Sequence, residues 1–438
     1  MELEQIKARP LGMILRFSIP SIAAMVLTAL VTVADGFFIG NWVGMEGLAA
    51  VNLGLPIIYL FLAVGLMVSV GGAAMAGMAL GAGDRERCNQ VFRQTVVTSA
   101  AFAAATALVV WLFFEPMLDV LKAEGQTRMY FRDYYTVRLP ELVVMMVNSA
   151  MGMFVRGEGS PQYYLKVSAL STAANIALDA LAACALGLGI QGVAAASLLS
   201  ALVSTVCLCR YFLKRARVYR FGRFAFSPEI LRRALFNGSS EMIGQLSIGA
   251  AMFAYNYVIL RQAGVAGVTA FTVVGYTALV FEMIVTGLGQ GSSPLASFTS
   301  GAGERTLAQG IRRWACVLAA GAGLAMLGLM AAVSGWYGAL FVDDPGALEM
   351  IRTGAVIFAV SFPFSGFNAI TSFYFTSTGR AVESAVISTS RGLVVLLACI
   401  FLLPMLWGMT GIWLAAPVTE AVTLAVSLFY IRRDTVEI

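Results

Sequence analysis

The sequence has no histidine, and only 12% of its 438 residues are charged. Without histidine, the commonest metal ligand and the side chain that titrates nearest to neutral pH are both missing. Any proton chemistry must therefore use carboxylates. The six cysteines show no CxxC spacing, which argues against a zinc site and against a disulfide framework. Soluble domains average about 25% charged residues, so a chain with so little charge is not expected to be soluble.

Apolar residues dominate what is present. Hydrophobic residues make up 59% of the chain, and its mean hydropathy is +0.83, which predicts a multi-pass protein whose solvent is the lipid bilayer. The first apolar stretch, from about Met13 to Phe38, is too long for a signal peptide and reads as a membrane helix. The 29 basic residues cluster at helix ends, which argues against a nucleic-acid partner. We expect a plasma-membrane protein, most simply of a prokaryotic inner membrane.

The apolar stretches predict an all-α membrane protein with twelve transmembrane helices, because a span needs about 20 apolar residues. They lie near residues 14–39, 48–79, 90–115, 134–156, 162–186, 189–213, 234–260, 268–299, 311–338, 349–376, 381–405 and 408–431. Most Lys and Arg residues then fall on the side that holds both termini, which is predicted to be cytoplasmic. The outer side holds only Lys122, Arg128, Arg132, Arg138, Arg261 and Arg352.

The two halves of the chain are repeats. LGAGDRERCNQ from Leu80 matches SGAGERTLAQG from Ser300, and GMEGLAA from Gly44 matches GVAGVTA from Gly264 at the same spacing of 220 residues. Six spans are an even number, so both halves enter the membrane from the same side as parallel repeats. We predict a six-helix lobe over 1–213, a basic cytoplasmic linker over 214–233 and a second six-helix lobe over 234–438.

Ionisable side chains deep in a membrane usually mark a pathway or a partner. Asp35 lies near the outer end of the first helix, and Asn175 and Asp179 lie four residues apart on one face of the fifth. Together they would form an oxygen-rich pocket for a proton or a small cation such as Na⁺. The alternative is structural: Asp35 ends its helix near water and Asp179 caps a bend. Because the second half has Tyr255 and Cys399 at the matching positions, a specialised site in the first half is favoured.

Four more ionisable residues lie in predicted spans. Glu282, Arg391 and Glu420 lie inside helices of the second half, where they either form an internal ion pair or present a carboxylate to a cavity for cationic substrates. Glu141 is predicted near the start of the fourth helix, at the membrane interface. Pro20 removes a backbone hydrogen bond from the first helix and is read either as a hinge or as an ordinary tolerated membrane proline.

Across nearly its whole length the chain resembles the multidrug and toxic compound extrusion (MATE) family of cation-coupled antiporters. The resemblance rests on five motifs that occur in this order along the chain: ADGFFIGNWVGMEGLAAVNLGLP, RGEGSPQ, NIALD, GIQGVAAAS and GLGQGSSPLASFTSGAGE. It implies two six-helix bundles in a V around a central cavity. It also implies a cation site in the N-terminal lobe at Asp35, Asn175, Asp179 and Ser197, where Ser197 replaces a threonine. Pro20 matches the family's bending proline.

We therefore expect a secondary antiporter that exports organic, cationic, amphipathic compounds in exchange for H⁺ or Na⁺. It should need no cofactor, have no resident metal site and act as a monomer rather than as an enzyme. A lipid-linked oligosaccharide flippase of the same superfamily is the nearest alternative, and it would need an Arg- and Lys-rich cavity. A membrane-embedded transferase is a more distant alternative, because the loops are short and histidine is missing.

Overall fold

The structure is a computed structural model, and it describes residues 2–120 and 124–436. Within those ranges the chain forms helices joined by turns and short irregular segments, with no β-strand. Lys122, which the sequence placed on the outer side, lies outside the described residues. The predicted all-α class is confirmed for the part of the chain that the structure describes.

The first half contains six membrane helices. We number them α1 (Pro10–Trp42), α2 (Met45–Gly81), α3 (Arg85–Leu112), α4 (Gly125–Gly157), α5 (Pro161–Ala185) and α6 (Gly189–Lys214). Helix α2 is interrupted at Gly54, and α5 ends in a single turn of π-helix over Leu181–Ala185. Short helices precede α1 and α4, over Leu3–Ala8 and Phe114–Val120.

The second half contains six more membrane helices. They are α7 (228–263), α8 (265–301), α9 (Arg305–Leu340), α10 (Pro345–Ala359 and Ser361–Ser377), α11 (381–407) and α12 (409–436). The two pieces of α10 meet at a bend of 41°. Helix α11 contains a π-helical turn over Ser390–Val394, which carries Arg391.

Two glycines turn long helical runs into pairs of spans. Gly264 has φ 61° within Pro228–Gly301, and Gly408 has φ 55° within 395–436. Glycine takes this left-handed conformation without the steric cost that a Cβ brings. The chain folds back at Gly264, since the rings of Tyr255 and Phe271 stack with their centroids 4.5 Å apart. Counting these hairpins, the described residues form the predicted twelve spans.

The predicted repeat is visible in the backbone. Glycines with positive φ end helices at matching places in both halves, and the pairs are Gly44 with Gly264, Gly83 with Gly303, Gly159 with Gly379 and Gly189 with Gly408. Each pair has the spacing found in the sequence, to within one residue. Turn geometry has therefore been kept in both copies while most side chains between the turns have diverged.

Several helices start earlier than predicted, and two of them carry residues of the buried clusters. Helix α4 begins at Gly125 rather than near 134, and α7 begins at Pro228 rather than near 234. The Ser227 side chain accepts a hydrogen bond from the backbone N–H of Ile230, which caps α7. Polar and charged residues interrupt the beginning of both helices, and a search for continuous apolar residues therefore starts after them. The predicted linker over 214–233 is therefore helical in its last part.

The two bundles touch backbone to backbone on the side that holds the chain termini. A methyl group added at Gly238 of α7 would lie 1.8 Å from the carbonyl oxygen of Met67 in α2. One added at Gly301 of α8 would lie 2.0 Å from that of Met78. Only glycine allows such an approach, so these positions set how tightly the bundles close at this end.

Candidate functional site

The four residues predicted to form a cation site lie together inside the first bundle. Helix α1 carries Asp35, α5 carries Asn175 and Asp179, and α6 carries Ser197. The exposed fractions of these residues are 6%, 0%, 0% and 3%, in that order. Asp35 therefore does not end its helix near water, and α1 continues to Trp42 beyond it.

Hydrogen bonds join three of these side chains across three helices. The Asn175 amide donates to Asp35 Oδ1 at 3.3 Å and to Ser197 Oγ at 3.3 Å. Ser197 Oγ in turn donates to Asp35 Oδ2 at 3.1 Å. Both oxygens of Asp35 therefore accept a hydrogen bond, as an ionised carboxylate can.

The Asp179 carboxyl group lies beside that of Asp35 but in different surroundings. Both of its oxygens are buried without a hydrogen-bond partner, and so is Asn175 Oδ1 on the same helical face. Buried polar atoms are almost always paired. These three oxygens are therefore free to accept a hydrogen bond or to bind a cation.

Arg138 and Glu141 of α4 extend this cluster, and the sequence did not predict their place in it. The Arg138 guanidinium lies 3.7 Å from Asp35 Oδ2 and 3.3 Å from Glu141 Oε2. Glu141 is buried and lies in the middle of α4 rather than near its start, where the sequence analysis placed it. The spacing of three residues between Arg138 and Glu141 was the available signal, but the late predicted start of α4 placed both at the membrane surface.

Pro20 lies buried inside α1, and the helix is continuous across it. Its neighbours in sequence make the contact with the second bundle. The Ser18 hydroxyl donates to the carbonyl of Leu288 in α8 at 3.4 Å, and a methyl group at Gly287 would lie 2.5 Å from Ile22 Cα. The proline therefore sits on the helix that connects the buried carboxylates to the contact between bundles.

The second bundle contains the predicted internal ion pair. The Arg391 guanidinium lies 3.1 Å from Glu420 Oε1 and donates to Ser365 Oγ at 2.8 Å. The Asn368 amide donates to Glu420 Oε2 at 2.8 Å and its oxygen accepts a hydrogen bond from Ser427 Oγ at 2.8 Å. Helices α10, α11 and α12 are thereby tied together by one polar network.

Two further carboxylates interact with this network. Glu241 of α7 and Glu282 of α8 both act electrostatically on Arg391, and on each other. Glu282 is exposed, and its Oε1 accepts a hydrogen bond from Thr286 at 3.5 Å. Glu241 was not a candidate in the sequence because its predicted helix started late and left it close to the interface. The cluster carries three carboxylates and one guanidinium.

A cavity of about 450 Å³ lies elsewhere, on the side of the chain termini. Its lining includes Gln5 of the N-terminal helix, Arg16, Glu158, Tyr211 and Arg217. None of the predicted site residues lines it. The cavity therefore belongs to the surface around the N-terminal helix and the linker, and not to either buried cluster.

Comparisons with known proteins agree on one family. The model of the MatE family matches residues 20–181 and 242–412. The multidrug export protein MepA of Staphylococcus haemolyticus is 21% identical over 95% of this chain and 92% of its own length. MepA of Staphylococcus aureus strain RF122 is 20% identical over 96% of this chain and 93% of its own.

Solved structures show the same fold. A crystal structure of MATE in complex with MaL6 has a TM-score of 0.92 and 23% identity over 98% of this chain and 97% of that one. An outward-facing multidrug resistance MATE transporter has a TM-score of 0.91 and 23% identity over 98% and 96%. The resemblance found in the motifs is confirmed, and since the family model matches more than half of the chain, the protein belongs to the MatE family and is a multi-pass membrane transporter rather than an enzyme.

Proposed function

We propose that this transporter is a secondary antiporter that exports organic, cationic, amphipathic compounds in exchange for H⁺ or Na⁺. Its coupling site is the group of Asp35, Asn175, Asp179 and Ser197. The observation that carries the proposal is the pair of buried carboxylates, one fully hydrogen-bonded and one with both oxygens unpartnered. Such a pair changes its charge when a cation enters or leaves.

Helix α1 is the element that links cation binding to the rest of the molecule. Asp35 lies on its outer half, while Ser18 and Ile22 contact α8 of the second bundle on its other half. Cation binding at Asp35 and Asp179 would favour a different bend at Pro20 and so change the contact between bundles. Coupling requires only that the cation and the exported compound prefer different conformations.

The charge of the second bundle supports cationic substrates. Glu241, Glu282 and Glu420 share one guanidinium, that of Arg391, so the cluster is negative when all its groups are ionised. Charge in a low-dielectric interior attracts ions of the opposite sign strongly. A compound with one positive group and an apolar body would be attracted to it.

The same charges weigh against the flippase alternative. A lipid-linked pyrophosphate needs free basic groups in the cavity, but Arg391 is already bound to Glu420 and Ser365. The relatives found by comparison are multidrug exporters. We therefore keep the flippase only as an outcome of the experiment below.

Reconstitution in proteoliposomes tests the proposal. We expect uptake of a fluorescent organic cation, driven by an imposed H⁺ or Na⁺ gradient, to be lost in Asp35→Asn and in Asp179→Asn. Asp119→Asn is the matched control, because Asp119 is an exposed aspartate that only pairs with Arg128 at the surface. Export by both site variants at the parent rate would show that the site is misassigned, and gradient-independent movement of a lipid-linked sugar would favour the flippase.

We also propose that the chain acts as a monomer in the plasma membrane, in a prokaryote the inner membrane, with both termini in the cytoplasm. The excess of Lys and Arg on the terminal side supports this orientation. Because the native Cys184 is exposed, the test uses a variant in which the six native cysteines are replaced and one cysteine is added at the N-terminus, and it compares labelling in intact and lysed cells. Labelling of intact cells by an impermeant reagent would overturn the orientation.

A further inference from the structure

We propose that Arg138 makes the coupling site selective for H⁺ and that the proton is carried by Asp179. The guanidinium acts as a tethered cation beside Asp35 and so excludes Na⁺ from the site. This inference rests on the proposed function, because it assigns the coupling ion and the residue that carries it. It gives Arg138 a positioning role in transport that its place in the sequence did not suggest.

Arg138 is fixed between two carboxylates. Its side chain is only 13% exposed, and it lies 3.7 Å from Asp35 Oδ2 and 3.3 Å from Glu141 Oε2. Its guanidinium carbon also lies 5.9 Å from the ring centroid of Tyr134 on the preceding turn. Because a buried charge is stable only when it is paired, this arrangement holds one positive charge permanently next to Asp35.

Asp35 is surrounded by hydrogen-bond donors and by a positive charge. Its two oxygens accept hydrogen bonds from Asn175 and Ser197, and Arg138 faces one of them. Hydrogen bonds and an opposite charge both favour the ionised form of a carboxyl group.

The surroundings of Asp179 instead favour a protonated carboxyl group. Neither of its buried oxygens has a donor, and an ionised carboxylate without hydrogen bonds is costly in an apolar setting. The groups that face it are Asp35 from α1 and Arg138 from α4, with Tyr134 and Glu141 beyond them. A protonated Asp179 is neutral, and its O–H can donate to Asp35 or to the unpartnered Asn175 Oδ1.

A sodium ion fits this site poorly. Hard cations such as Ca²⁺ and Mg²⁺ bind roughly six oxygen ligands, but the oxygens of Asp35 already accept hydrogen bonds. Four buried oxygens of the cluster have no hydrogen-bond partner, two from Asp179, one from Asn175 and Glu141 Oε2, and the last of these faces Arg138. A metal cation there would also lie close to the positive charge of Arg138, whereas a proton adds to Asp179 without needing space or further ligands.

The transport test compares ion gradients in proteoliposomes. In the unmodified protein we expect an imposed H⁺ gradient to drive dye movement and an imposed Na⁺ gradient to have no effect. Arg138→Gln combined with Glu141→Gln removes both charges of the pair, and in this double variant we expect Na⁺-driven movement to rise by at least about tenfold. Arg138→Lys keeps the charge and should remain insensitive to Na⁺, as should the surface control Arg128→Gln.

A second measurement does not depend on transport. Infrared difference spectra of the purified protein should show the carbonyl band of a protonated carboxyl group, and the band should disappear on raising the pH. Because the buried Glu141 can also contribute to this band, we expect the band to be weaker, rather than absent, in Asp179→Asn and unchanged in Asp35→Asn. Thermal unfolding in detergent checks that each variant is folded.

The outcomes separate the two proposals. Na⁺-driven movement in the unmodified protein, or a band that is unchanged in Asp179→Asn, would overturn the inference about Arg138 and Asp179. Failure of both gradients to drive movement in the unmodified protein would overturn the proposed antiport, while the infrared result would still decide where the proton resides.

Discussion

Asp35 and Asp179 are both buried, but only Asp35 is surrounded by hydrogen-bond donors. Asp35 accepts hydrogen bonds from α5 and α6 and faces a guanidinium on α4. Neither oxygen of Asp179 has a hydrogen-bond donor. At the scale of single residues, the chemistry of the site therefore depends less on the two acids than on which donors surround each one.

Ser197 is the donor most easily tested. Its hydroxyl bonds Asp35 Oδ2 at 3.1 Å, and hydrogen bonds to charged groups contribute about 1.5–3 kcal/mol. We expect Ser197→Ala to slow gradient-driven export several-fold, because Asp35 loses one of its two hydrogen-bond donors. Ser197→Thr keeps the hydroxyl and should export normally. Equal loss in both variants, measured in the dye assay, would mean that the hydroxyl is not what matters.

Glu420 is expected to matter for stability. It pairs with Arg391 and accepts a hydrogen bond from Asn368, and removal of one partner of a buried pair costs about 3–5 kcal/mol. Because the two side chains are 11% and 21% exposed, we expect the lower part of that range for Glu420→Gln. Thermal unfolding in detergent measures it. Glu229→Gln, at an exposed pair with Arg233, should unfold like the parent, and so would Glu420→Gln if the pair were unimportant.

At the scale of helices, α1 joins the buried carboxylates to the contact between bundles. Its backbone lacks one hydrogen bond at Pro20, midway between Ser18 and Ile22, which touch α8. The π-helical turns in α5 and α11 also depart from α-helical hydrogen bonding. They lie next to Asp179 and around Arg391. A proline or a π-helical turn therefore interrupts the regular hydrogen bonding of three of the helices that carry buried ionisable groups.

Pro20→Ala should restore the missing backbone hydrogen bond and stiffen α1. We expect export to slow several-fold while the protein becomes slightly more stable, because alanine is the better helix former. Pro10→Ala is the control, since a proline at the first position of a helix removes no bond that the helix would use. Turnover in proteoliposomes and thermal unfolding give the two readouts, and unchanged turnover in Pro20→Ala would remove its role as a hinge.

At the scale of the whole molecule, the two bundles approach each other through glycines on the terminal side. Backbone contacts of this kind are sensitive to a single methyl group. The contact is therefore a place where the balance between open and closed arrangements of the two bundles can be shifted without touching either buried cluster.

Gly238→Ala tests this contact. The added methyl group would meet the carbonyl of Met67, so we expect the bundles to separate at this end and the population of the present arrangement to fall. Distances between spin labels on α2 and α7, measured by pulsed electron resonance, report the shift. Gly244→Ala on the same helix has no neighbouring atom within 4 Å and should leave the distances unchanged. Identical distance distributions in both variants would show that the contact does not hold the bundles.

Helical spacing and depth in the predicted spans suggested Asp35, Asn175 and Asp179 as a group, and the resemblance to the MATE family added Ser197. The sequence missed Arg138 and Glu241 and misplaced Glu141. In each case the residue lies in the first turns of an apolar stretch, where polar residues mask the start of a helix. A reading that measures hydropathy assigns such residues to the surface, although the helix beneath them has already begun.

By itself, the sequence determined that this chain is a membrane protein with two repeated sets of six spans. Hydropathy and the glycines at helix ends are local features of the chain, so they can be recognised without a structure. Only the tertiary structure decided which donors meet Asp35, which oxygens of Asp179 remain open and that Arg138 points at the pair. Those facts depend on how α1, α4, α5 and α6 pack against one another, and packing brings together residues that are far apart in the chain.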